Sequence, residues 1–174
     1  NTLNNIDVLI EKDPPKASLY FNKLSAIMRF MLYETKTAKI PLSKELDYIA
    51  KYIDLQKIRH SNPDFVQYTV EGEMDFIFIE PMLFIPFIEN AFKHARFAKE
   101  GIGIKIRLLV TDKSIEFSCE NSIGSNLIEN EYYGGLGNGL IEKRLNLLYP
   151  KQHELTVTKS NQHYLVQLTI QYAN

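Results

Sequence analysis

At 174 residues, 45% apolar and 24% charged, the chain has the composition of one folded globular domain with a small appendage and not of a disordered segment. Twenty Lys and Arg against twenty-one Asp and Glu leave a net charge of -1 with no basic block, which argues against nucleic acid as a direct partner. The one cysteine, Cys119, excludes an internal disulfide, cannot build a zinc site alone, and fits a reducing, cytosolic setting.

Residues 1 to about 60 read as helices. Leu3, Ile6 and Ile10 share one face of a short first helix, which Pro14 and Pro15 end because proline lacks an N–H and clashes with the preceding turn. From Lys16 to Tyr33, Ala17, Tyr20, Phe21, Leu24, Ile27, Met28 and Met31 recur at three and four residues, so an amphipathic helix is expected. Ser43 is a candidate cap for a third helix, with Glu45 in its first turn and Leu46, Ile49, Ala50 and Ile53 as its stripe.

After "HSNPD" the pattern changes. "FVQYTV" and "MDFIFIE" bracket "EGE" and read as two strands, and Pro81 suits the opening of the next helix. The apolar run from Phe76 to Ile88 is interrupted by Glu80, Pro81 and Pro86 and is too short for the roughly 20 residues of a membrane span. "IGIKIRLLV" and "SIEFSCE" form a second strand pair around "TDK". "NSIGSNLIENEYYGG" has little periodicity, and a loop of that length is commonly functional or disordered. A helix through "GLIEKRLNLLY" follows, and "ELTVTKS" and "HYLVQLTIQ" close the chain as a hairpin around "NQ". The order predicts a helical hairpin followed by an α/β layer of about six strands with helices on one face.

Two features carry chemistry. In "PFIENAFKHA", Pro86, Asn90, Lys93 and His94 fall on one helical face while apolar residues cover most of the rest. Because an unpaired buried charge is costly, that face is a water-lined rim, is paired internally, or meets a polar ligand. An amide oxygen suits a hard cation, an ammonium suits phosphate, and a flat ring suits stacking. The second feature is "GGLGNGL", Gly134 to Leu140, whose glycines open a helix and allow close backbone approach to an anion. Alone it is a weak signal, since glycine-rich turns are more often merely turns; it is neither the dinucleotide fingerprint nor the lysine-bearing triphosphate loop.

Taken together, "PFIENAFKHA" resembles the N box, and "GGLGNGLIEKRLNLLYP" the second glycine box, of LytS-type sensor histidine kinases in the GHKL ATP-binding superfamily. "NTLNNI" is similar to the continuation of that family's phosphoacceptor motif, Asn-Pro-His-Phe-Leu-Phe-Asn, and "LSKELDYIAKYIDLQKIRH" to its linking helix. The resemblance implies an α/β (α+β) two-layer sandwich of the GHKL, or Bergerat, type preceded by a truncated helical hairpin. Residues 1–60 would be partial dimerization and phosphotransfer helices with the linking helix, and residues 61–174 the ATP-binding catalytic domain. The implied cofactors are ATP and magnesium. The implied partners are a response regulator and, in the parent protein, a second copy. The implied location is the cytoplasmic part of a membrane-anchored sensor, with membrane contact only through upstream regions.

By the same match, Asn90 coordinates magnesium, Lys93 contacts phosphate and His94 packs against the nucleotide. Pro86 stands where hydrolytic relatives hold a glutamate base, as is usual in the LytS branch. Glu89 is open between a structural and a catalytic role. In the first glycine box this chain departs from the family: "CENSIG" places Asn121 where an aspartate usually accepts the adenine amino hydrogen bond. Asn121 either accepts that bond without charge, with weaker affinity, or starts the lid loop. Residues 122–134 would be the ATP lid, ending at Gly135 and Gly137, and Gly139 stands where the family has a side chain. His60, His153 and His163 read as surface residues outside any acceptor motif, so the acceptor histidine is expected upstream of Asn1 and the chain is not expected to phosphorylate itself. The rival readings are a degenerate interaction module without nucleotide binding, and a GHKL serine kinase or ATPase.

Overall fold

The computed structural model describes residues 2–58, 60, 62–96, 101–123, 136–160 and 162–172. It divides into two compact units, residues 1–63 with 74–83, and residues 64–73 with 84–174.

The first unit is helical. Helix α1, Thr2–Lys12, packs on α2, Pro14–Tyr33, and α2 packs on α3, Leu42–Lys57. Pro14 and Pro15 both end α1 and open α2, two residues before the expected start at Lys16. The first turn of a helix needs no N–H acceptor, and the Asp13 carboxylate accepts from the Lys16 N–H at 3.2 Å. The stripe predicted for α2 is only partly covered: Ala17 and Ile27 are buried, while Phe21, Met28 and Met31 are exposed. Ser43 does not cap α3. The cap position is Pro41, and Ser43 lies within the first turn.

The two strands expected around "EGE" do not pair with each other. Strand β1, Ile40–Pro41, pairs antiparallel with β3, Phe78–Ile79, in a two-stranded ribbon of the first unit. Strand β2, Val66–Glu71, belongs to the second unit and runs parallel to β4, Ile104–Val110. The second expected strand is cut short because Phe76 adopts a left-handed φ of 64°, which no extended strand accommodates.

The second unit is built on a mixed sheet in the order β2-β4-β5-β7-β6, antiparallel throughout except for β2 and β4. Strand β5 is Ser114–Ser122, β6 is His153–Lys159 and β7 is His163–Gln171. The predicted pair around "TDK" and the closing hairpin both form. Strict alternation explains the layering. Ile104, Ile106, Leu108 and Val110 on β4, Ile115, Phe117 and Cys119 on β5, and Val166, Leu168 and Ile170 on β7 are all buried on one face. The opposite face carries polar pairs such as Arg107 with Glu71 at 3.1 Å. Helix α4, Ile85–His94, packs on β5 and β4, and α5, Leu136–Leu148, packs on β6.

Helix α4 begins at Ile85 and not at Pro81. Met82 adopts φ 60°, so the chain cannot be right-handed helix there, and the first helical bonds run from the Phe87 and Ile88 N–H groups to the Phe84 carbonyl. Pro86 therefore falls in the first turn, where its missing N–H costs nothing.

Candidate functional site

The candidate site grows from α4. Phe84, Ile85, Phe87, Ile88 and Ala91 are buried, each large side chain contributing about 1.5–3 kcal/mol by leaving water. The Phe84 and Phe87 rings meet Phe117 of β5 at centroid separations of 4.9 and 5.9 Å. One step along that face, the Cys119 thiol donates to the Phe87 carbonyl at 3.9 Å. Burial pushes that thiol up to about 12, so Cys119 is a packing residue and not a nucleophile.

The polar face emerges at the border of this packing. Pro86, Asn90 and His94 are half-buried, and Glu89 and Lys93 are exposed. Partial burial, reinforced by the neighbouring Lys93 ammonium, holds the His94 imidazole below its ordinary value of 6.5, which favours the neutral ring. Glu89 is exposed as a residue, yet the protein surface around its carboxyl displaces enough water to raise that group above 4.5. Asn90 presents an amide oxygen, a ligand type that magnesium accepts beside phosphate oxygens and its own waters. Among the described residues, no group of three or more His, Cys, Asp or Glu could hold a metal ion.

The end of α4 is tied to the end of β5. The Arg96 N–H donates to the Ser122 carbonyl at 2.9 Å, and the Ser122 hydroxyl donates to the Arg96 carbonyl at 3.3 Å. Asn121, one residue earlier on β5, is 1% exposed. The alternation along β5 places it on the same face as Phe117 and Cys119, the face that α4 covers. Its Nδ2 donates to the Ser122 carbonyl at 3.3 Å. The structure thus brings Lys93, His94 and Asn121 to one end of the α4–β5 pair.

The glycines stand elsewhere. Gly139 is in the first turns of α5, where a Cβ would meet no described atom within 4 Å, and Gly137 lies in the same helix. Helix α5 starts at Leu136, ahead of the expected "GLIEKRLNLLY". Gly135 and most of the expected lid, residues 124–134, lie outside the described residues. The His153 ring is part-buried with Nδ1 2.8 Å from the Tyr149 carbonyl, His163 is exposed with Nδ1 3.0 Å from Glu120, and His60 is half-buried.

The sequence did not point to Tyr164, and it placed Glu45 in a first turn without showing its burial. Tyr164 of β7 is buried and stands directly beside Asn121 in the strand register. Glu45 of α3 is fully buried, and its two carboxylate oxygens accept the Met82 and Leu83 N–H groups, each at 2.9 Å. The signal for Glu45 was its spacing: Leu42, Glu45 and Ile49 occupy one helical stripe, so a carboxylate sits in an apolar row.

Residues 1–64 match the family model described as histidine kinase. The chain is 33% identical over 135 residues to the sensor protein kinase HptS of Staphylococcus aureus, a match that covers 76% of this chain and 25% of HptS. The chain thus spans about a quarter of the length of that relative. Among solved structures, the histidine kinase AdeS of Acinetobacter baumannii superposes with a TM-score of 0.54 at 11% identity, covering 95% of this chain and 83% of that one. A bacterial phosphotransferase superposes with a TM-score of 0.52 at 10% identity, covering 96% and 85%. At such identities the superpositions speak to the fold, which is an α/β fold shared with histidine kinases.

Proposed function

From a chain related to the histidine kinases, we propose the catalytic portion of a LytS-type sensor kinase of the GHKL superfamily, passing the γ-phosphate of ATP to a histidine upstream of Asn1 and on to a response regulator. The observation that carries this reading is the convergence of the polar face of α4 and the buried Asn121 at one end of the α4–β5 pair, held together by the Arg96–Ser122 bonds. Residues 1–60 serve as dimerization and phosphotransfer helices with the linking helix, and residues 61–174 as the ATP-binding domain. The exposed Phe21, Met28 and Met31 of α2 supply apolar area for a homodimer of the parent protein. The chain works on the cytoplasmic side of a membrane-anchored sensor. No helix among the described residues is long and apolar enough to cross a membrane.

Each residue has a definite task. Asn90 offers its amide oxygen to magnesium, which when bound neutralises phosphate charge. Lys93 reaches phosphate with its exposed ammonium. The neutral His94 ring packs against the nucleotide, and Asn121 Oδ1 accepts from the adenine amino group. Gly135, Gly137 and Gly139 bring backbone close to the phosphates. With Pro86 one turn before Asn90, there is no carboxylate to activate water at that position. Transfer to a positioned histidine needs alignment and charge neutralisation and no such base.

The test is an ATP titration, with and without magnesium, of the chain and of Asn90→Ala. A magnesium-dependent signal lost in Asn90→Ala is expected, and separates the kinase reading from an inert interaction module. Lack of binding at millimolar ATP would sink the kinase reading. Restoring the upstream residues and assaying acid-labile phosphate then tests the transfer.

A further inference from the structure

Helix α4 ends at His94, and the chain that leaves it is fixed at once. The Ala95 N–H closes the helix on the Ala91 carbonyl at 2.8 Å, and Ala95 itself, 6% exposed, turns to extended backbone at φ -62° and ψ 138°. Arg96 follows, its N–H on the Ser122 carbonyl at 2.9 Å and its carbonyl accepting the Ser122 hydroxyl at 3.3 Å. Both bonds belong to the Arg96 backbone, so they hold the root of its side chain against the end of β5, where Asn121 precedes Ser122. Arg96 is exposed, and among the described residues its guanidinium has neither an ion pair nor a hydrogen bond. The carboxylate next to Asn121 in sequence is committed elsewhere. Alternation puts Glu120 on the opposite face of β5, with Oε1 3.0 Å from His163 Nδ1. Lys93 already gives the last turn of α4 a cation, so the helix dipole does not call for Arg96 as well.

We infer that Arg96 is a further nucleotide-binding residue, laying its guanidinium plane on the purine ring whose edge Asn121 holds. This rests on the reading of α4 and Asn121 as the nucleotide site. The fold separates the two cations: Lys93 shares the helical face of Asn90, the phosphate side, whereas Arg96 is tied to β5 beside Asn121, the base side. A guanidinium is flat, delocalised and weakly hydrated, so it stacks on an aromatic face in a way that a compact, strongly hydrated ammonium does not. The neutrality of Asn121 acts in the same direction. It makes an uncharged bond to the base, weaker than a carboxylate would, and it offers Arg96 no carboxylate to pair with, so the cation stays available to the ligand.

The experiment uses the 174-residue chain and its Arg96→Ala, Arg96→Lys and Arg107→Ala variants, titrated with magnesium-ATP and, by competition against a fluorescent ATP analogue, with adenosine. Adenosine carries no phosphate, so it separates a contact to the base from one to the phosphates. Arg107 is exposed on the opposite face of the sheet and paired with Glu71 at 3.1 Å, so Arg107→Ala removes one positive charge away from the site. Arg96→Ala is expected to stay folded by circular dichroism, because its backbone bonds remain, and to bind both ligands weaker by the same factor, within about 2 to 30 for a cation over a ring. Arg96→Lys keeps the charge without the plane and should stay weakened, and Arg107→Ala should bind as wild type does. Wild-type affinity in Arg96→Ala overturns the inference, as do a loss confined to magnesium-ATP, full recovery in Arg96→Lys, an equal loss in Arg107→Ala, or adenosine that does not compete on the wild-type chain. If Arg96→Ala does not fold, Arg96→Lys decides: undiminished affinity overturns the inference, and a loss for both ligands supports it. If the wild-type chain binds no magnesium-ATP, the nucleotide reading falls and takes this inference with it, whereas equal binding by wild type and Arg96→Ala removes only the inference.

Discussion

Gly139 allows a stability effect and a binding effect to be pulled apart in one substitution. It lies within α5, its φ is not left-handed, and a Cβ there would meet no described atom within 4 Å. Glycine in a helix is less stable than alanine by about 0.5–1 kcal/mol because it loses more backbone freedom on folding. Gly139→Ala should therefore stabilise the chain by that amount, which for a protein of this size raises Tm by about 1–4 °C. If Gly139 brings backbone close to phosphate, the added methyl obstructs the approach and magnesium-ATP affinity falls while stability rises. Chemical denaturation followed by circular dichroism gives the first quantity, and a titration gives the second. Gly103→Ala is the steric contrast. There a Cβ would lie 1.9 Å from Phe65 Cε2, and the Gly103 N–H is bonded to the Phe65 carbonyl at 2.8 Å. Phe65 is itself 1% exposed, so the ring has little room to yield and the overpacking should cost about 1–3 kcal/mol. A loss of stability in Gly139→Ala, or a change below about 0.5 kcal/mol in Gly103→Ala, would refute the steric reasoning. Unchanged ATP affinity in Gly139→Ala would remove Gly139 from the site without touching Asn90.

Phe117 anchors α4 to the sheet, so Phe117→Ala should destabilise the second unit by about 3–5 kcal/mol, measured as a shift of the urea midpoint at constant slope. A cost under about 1 kcal/mol would mean that α4 is held by other contacts. His94 should titrate below 6.5 in an NMR pH series, and in Lys93→Met its midpoint should rise only part of the way, because burial is the larger cause. Its folded value is depressed, so the stability it contributes is present above 6.5 and is lost as pH falls through the folded value. A midpoint at or above 6.5 would contradict the half-buried placement.

Much of the architecture was legible because its signals are local. Alternation along "IKIRLLV", "SIEFSCE" and "HYLVQLTIQ" marked strands whose alternate residues are buried, and the three-and-four spacing marked α2 and α3. The polar face of α4 followed from helical geometry alone, and its half-buried Asn90 and His94 lie where that face meets water. Helix starts were less legible, since a proline reads alike whether it opens a helix, as Pro14 does, or sits in a turn before one, as Pro81 does.

Composition and periodicity by themselves determined that this chain builds helices first and an α/β layer after, and which residues line each face, because burial repeats every two or about 3.6 residues along the chain. Only the tertiary structure decided that β2 joins β4 in parallel and not the segment that follows it, that Asn121 comes to the end of α4, and that Glu45 is buried. Each of these depends on partners far apart in sequence. The N–H groups that satisfy Glu45 lie 37 and 38 residues away, and no local pattern encodes a hydrogen bond across that distance.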